Sequence, residues 1–69
     1  MPLNLATAGA LLYGERWQAP LARALGVSRT TVLNWAAGRF PLPDDAADRL
    51  RRMLDERRAA IDAALLVIG

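Results

Sequence analysis

Apolar residues recur at helical spacing in four stretches of the chain, with polar residues or helix breakers between them. In the first, Leu5, Ala8, Leu11 and Leu12 recur near the helical period, Asn4 stands where a helix would be capped, and Gly14 follows Tyr13 as a C′ residue. In the second, Leu21, Ala22 and Leu25 share a face. Pro20 falls in its first turn, where N–H groups have no intrahelical partner, so this helix starts near Trp17 and breaks at Gly26. Ser28 can cap a third helix that turns Val32, Trp35 and Ala36 inward and Thr30, Leu33, Asn34 and Ala37 outward, with Arg29 and Thr31 on the flanks. After Gly38, Arg39 to Pro43 reads as a loop because each proline disfavours helix in the residue before it, and Phe40 and Leu42 are expected to anchor it. Pro43 with Asp44, Asp45 and Asp48 opens a fourth helix that meets no breaker before Gly69, about 25 residues and about 37 Å long. The pattern predicts an all-α fold of four or five helices in one small domain over residues 1–69, with 4–43 as core and loop and 44–69 as a C-terminal helix.

Gln18 to Gly38 is the stretch around which the rest is organised. Two helices joined by so short a turn cross closely, so the contact position on the first needs a small side chain, which Ala22 supplies, and Gly26 permits the reversal. Leu21, Leu25, Val27, Val32 and Trp35 fill the angle between them, leaving the second helix free to enter a major groove. The set of Gln18, Ala22, Gly26, Val32 and Trp35 resembles the helix-turn-helix of the Cro and lambda-repressor-like transcriptional regulators, closely over 18–38 and loosely over 4–54. The resemblance implies a lambda-repressor-like DNA-binding domain acting as a small transcriptional regulator, a repressor more often than an activator, of a nearby promoter or its own. An ordinary helix hairpin in an all-α bundle is the alternative.

Composition narrows the chemistry. A chain of 69 residues without cysteine excludes disulfide stapling and cysteine-based zinc binding and suits a reducing cytoplasm. Histidine and lysine are absent too, so the usual general bases, thiol nucleophiles and Schiff-base amines are missing, and no enzyme, cofactor or metal site is expected. The cluster Asp44, Asp45 and Asp48 reads as a solvated helix start rather than a metal site. All nine basic residues are arginine, which GC-rich coding alone can produce, so position carries more than identity. Residues 1–43 carry a net charge of +3 and residues 44–69 a net −1, placing the basic excess on the helix-turn-helix half. Leu3 to Tyr13 has no basic segment before it and contains Asn4 and Thr7, so it does not read as a signal peptide.

On the second helix of the motif, Arg29 and Asn34 are expected to read bases, because arginine can pair bidentately with guanine and asparagine with adenine. Thr30 assists them, and Leu33 can touch a thymine methyl or pack inside the domain. Gln18, Ser28, Thr31 and Arg39 are expected to meet phosphates, with Trp17 and Arg16 alongside. Each has a plainer alternative: Ser28 as a cap only, Trp17 as a wedge within the domain, and Arg39 as a charge at a helix C-terminus.

The fourth helix is too long for so small a domain to cover. Leu50, Met53 and Leu54 are expected to close the core, while Ile61, Ala64, Leu65 and Ile68 continue the stripe outward as a homodimer interface. Arg57 interrupts that stripe and is expected to meet Asp55, Glu56 or Asp62 of a second chain or to stay solvated. Leu65 to Ile68 is too short for a membrane span. Two-fold pairing would set the recognition helices about 34 Å apart, matching an approximately palindromic double-stranded operator. From a different class, the chain could be an antitoxin-like interaction module whose C-terminal helix binds a partner protein.

Overall fold

The computed structural model describes residues 4–69 and is all-helical, with no strand among the described residues. Its elements are α1 (Leu5–Tyr13), α2 (Gln18–Leu25), α3 (Arg29–Ala36) and α4 (Asp44–Ile68). Leu3, the start of the apolar N-terminal stretch, lies outside the described residues.

Most helix ends have a local reason, although α2 opens with no side-chain cap. The Asn4 side chain accepts a hydrogen bond from the Thr7 N–H at 3.2 Å and opens α1, and Gly14 closes it at φ 80°. Gly26 sits in the left-handed region at φ 71°, ψ 30°. Its N–H donates to Arg23 O at 3.2 Å, and the Val27 N–H donates to Ala22 O at 3.0 Å, so two otherwise unpaired carbonyls of α2 are satisfied in a Schellman arrangement. The same device ends α3: Gly38 at φ 77° donates to Trp35 O, and Arg39 N–H to Asn34 O at 3.0 Å. Asp44 and Asp45 occupy the first turn of α4, where the helix dipole favours negative charge.

The core forms where α1, α2, α3 and the first half of α4 converge. Leu21, Val32 and Leu50, one from each of three helices, are fully buried, and Leu5, Ala8, Leu12, Ala22 and Leu25 pack around them. Val27, Trp35, Leu42, Met53 and Leu54 cover this cluster from the rim. As expected from its phase, α4 stops contributing to the core after Leu54, and no residue from Asp55 onward is buried.

Five side chains depart from their expected places, the first being Leu11, which recurs with the apolar stripe of α1 but is 69% exposed. Trp17 is a core residue, only 9% exposed, lying against the backbone of the buried Gly9 on α1. Phe40 is 60% exposed, so Leu42 alone anchors the loop. Ala36 is exposed although its angle matches Val32, because the last turn of an eight-residue helix extends beyond the core that Val32 enters. Arg57, expected to reach a second chain or water, instead donates from Nη2 to Leu12 O at 2.8 Å. Its cation therefore sits at the C-terminal end of α1, where carbonyls lack intrahelical partners, and ties α4 to α1.

Candidate nucleic-acid interface

The corner between α2 and α3 presents the surface of interest. Val32 is fully buried, so rotation about the axis of α3 is fixed, and Arg29, Thr30 and Leu33 come out exposed, with Asn34 half-buried beside them. Thr30, Leu33 and Asn34 share the side of α3 that Val32 leaves free, with Arg29 on its flank. No side-chain polar atom among the described residues is buried without a partner, so the polarity of the molecule is carried on its surface.

Ser28 caps α3 by accepting from the Thr31 N–H at 3.1 Å, and its Oγ lies 2.9 Å from Thr31 Oγ1. One hydrogen of the two hydroxyls is consumed between them, and the second remains available to donate outward. Ser28 and Thr31 thus form one paired unit at the start of α3, and capping does not exhaust their donor capacity.

At the other end of α3, Arg39 Nη1 donates to Asn34 Oδ1 at 3.1 Å. Two bonds hold these residues together, since the Arg39 backbone N–H also reaches Asn34 O at 3.0 Å through the Gly38 turn. The consequence for base reading is specific. Bidentate recognition of adenine uses the Asn oxygen and amide together, and Arg39 occupies one of the two lone pairs of Oδ1, leaving the other to accept from a base. Sequence spacing did not reveal the pair. Gly38 marked the helix end, but the Schellman geometry that folds Arg39 back over α3 is visible only in three dimensions.

Gln18, the first residue of α2, is half-buried, while Arg16 before it is exposed. Trp17 between them does not belong with them: its indole is in the core, and it cannot lie along a phosphate backbone. Among the proposed dimer residues, Ile61, Ala64, Leu65 and Ile68 are all exposed and lie on α4 beyond the core. Charged residues earlier on α4 form exposed pairs, Arg51 with Asp48 at 3.4 Å and Arg58 with Asp55 at 3.2 Å, of the kind that contributes a few tenths of a kcal/mol. No group of three or more carboxylates suited to a metal ion occurs among the described residues. No described helix is long and apolar enough to cross a membrane.

Comparison with protein-family profiles, curated proteins and solved structures finds no match to this chain.

Proposed function

We propose that the chain is a sequence-specific DNA-binding regulator of the Cro/lambda-repressor-like kind, acting in the cytoplasm as a homodimer on an approximately palindromic operator and repressing a nearby promoter or its own. The observation that carries this reading is the α2–α3 corner. A left-handed Gly26, the capped start of α3 at Ser28 and the fully buried Val32 together turn a polar edge of α3 outward.

In this mechanism α3 lies in the major groove. Arg29 reads guanine, Asn34 reads adenine, and Arg39, beside Asn34 at the end of α3, meets a phosphate. Thr30 and Leu33 sit between them, Leu33 offering an apolar surface to a thymine methyl. Gln18, Arg16 and the Ser28–Thr31 pair fix the docking through the DNA backbone.

The test compares Arg29→Ala with the unmodified protein on a duplex selected from a random pool and on a scrambled duplex. The expected loss is about 1 to 3 kcal/mol on the selected duplex and much less on the scrambled one. Equal losses on both would move Arg29 from base reading to phosphate binding.

The exposed apolar end of α4 supports a second function, an antitoxin-like module that uses this helix to hold a partner protein. Purified protein that is monomeric or aggregated alone, and becomes soluble with a co-encoded chain, would favour it. A dimer that shifts its own upstream DNA would favour the first.

A further inference from the structure

The bond between Asn34 and Arg39 bears on which base α3 can read. Arg39 follows the left-handed Gly38 and is held to one residue twice, its backbone N–H donating to Asn34 O at 3.0 Å and its Nη1 to Asn34 Oδ1 at 3.1 Å. The backbone bond fixes where the Arg39 side chain starts and keeps the guanidinium within reach of the Asn34 amide.

An asparagine amide presents an acceptor at one end and two donors at the other, and by itself it can turn end for end. A guanidinium removes that freedom. It carries donors and no acceptor, so it holds Oδ1 beside it and disfavours the amide NH2 in the same place. Oδ1 keeps its second lone pair, and the guanidinium keeps further N–H donors beyond the one spent on Asn34.

We propose that Arg39 is a positioning residue for base reading: it fixes which end of the Asn34 amide accepts from the base and, with its remaining donors, holds a DNA phosphate at the same time. This deepens the proposed function and rests on its assignment of Asn34 to adenine. In the major groove adenine offers a donor at N6 and an acceptor at N7, which the oxygen and NH2 of one amide match together, whereas guanine offers acceptors at both O6 and N7. With Oδ1 held in place, guanine sets O6 against it, acceptor against acceptor. An unheld amide would turn and donate to O6. Arg39 therefore adds discrimination at a base pair that it does not itself touch.

The test uses the full chain and a duplex motif selected from a random pool. Asn34→Ala, which keeps α3 helical, locates the base pair that Asn34 reads as the position where adenine loses its advantage over guanine, an advantage of about 5- to 150-fold for a bidentate contact. Arg39→Met, at an exposed position, keeps the aliphatic stem and the backbone bond and removes the side-chain donors. Each variant is titrated against the selected duplex and against the same duplex with that A·T pair changed to G·C. Loss of a phosphate contact lowers both affinities together and cancels in their ratio, whereas loss of positioning lowers the ratio. The expected result for Arg39→Met is a ratio reduced by about fivefold or more, the lower end of that range, with discrimination at the guanine read by Arg29 unchanged and no further reduction when Arg39→Met is combined with Asn34→Ala. An unchanged ratio in Arg39→Met, with Asn34→Ala still lowering it, would overturn the positioning role and leave Asn34 as a base reader. Equal losses of discrimination at the Asn34 and Arg29 positions would also overturn it. Asn34→Ala without effect at any adenine, or a pool with no enriched motif, would overturn the assignment of Asn34 to adenine and the positioning role with it.

Discussion

Replacing Gly9 by alanine tests how α1 holds the α2–α3 corner. A Cβ built on Gly9 overlaps Trp17 Cε3 and lies 2.7 Å from Cδ2 and 3.1 Å from Cγ, where carbon atoms in contact prefer about 3.5 to 4.0 Å. Trp17 is buried and has no flexible tip to swing aside, so either the indole or α1 must move by about 1 Å. Overpacking of this kind costs about 1 to 3 kcal/mol. Against it stands a gain of up to about 1 kcal/mol, because alanine favours a helix interior over glycine. Contact with several ring atoms puts the cost at the upper end, leaving a net loss of about 1 to 2 kcal/mol. For a domain of this size that corresponds to a fall in Tm of roughly 5 to 15 °C. Trp17 immediately precedes Gln18 at the start of α2, so the strain is delivered to the helix that positions α3. The assay is thermal unfolding followed by circular dichroism, for Gly9→Ala alone, Trp17→Leu alone and the two combined. The double variant should recover about 1 kcal/mol or more relative to the sum of the singles. A Tm raised by Gly9→Ala would refute the close packing of Trp17 on Gly9, since helix propensity would then be the larger effect.

Ser28→Ala removes the acceptor for the Thr31 N–H and should lower stability by about 1 kcal/mol in urea unfolding, whereas an unchanged midpoint would deny the cap. Arg57→Met keeps the aliphatic stem but loses the bond to Leu12 O, and about 1 kcal/mol of stability should go with it. Unaltered unfolding there would mean that the tie between α1 and α4 rests on apolar contacts alone. Ile61→Asp should give a monomer of unchanged helicity that has lost most operator affinity, because a single half-site supplies too few contacts. Sedimentation showing an intact dimer would remove this part of α4 from the interface.

Apart from the start of α2, which has no side-chain cap, the helix boundaries were legible because they are written in residues with a local effect: Asn4 and Ser28 as side-chain caps, Gly14, Gly26 and Gly38 at positive φ, and Pro43 with Asp44 opening α4. Periodicity also identified Leu21, Val32 and Leu50, which lie at the phase centre of their helices. It failed at Leu11 and Ala36 within helices, and where there is no helix to set a phase. Trp17 and Phe40 both flank helices, and hydrophobicity alone could not say that the indole would find the gap left by Gly9 while the phenyl ring would find none. Two polar pairings escaped for another reason. Arg57 meets a carbonyl 45 residues away, and Arg39 reaches Asn34 only through the left-handed turn at Gly38. Long, flexible guanidinium arms choose among many acceptors, and the choice is made by the assembled fold. The base-reading roles proposed for Arg29, Thr30, Leu33 and Asn34 rest on their position on the outer face and flank of α3 and on the chemistry of their side chains.

The claim at the centre of this account is that α3 reads sequence in double-stranded DNA. Selection of a randomised duplex library with the unmodified protein, followed by titration of the selected and scrambled duplexes over a range of salt concentrations, tests it most directly. The account predicts enrichment of an approximately palindromic motif, bound about 10³-fold or more tighter than the scrambled duplex, with affinity for both falling steeply as salt rises. No enriched motif, or equal affinity for the two duplexes at every salt concentration, would contradict it.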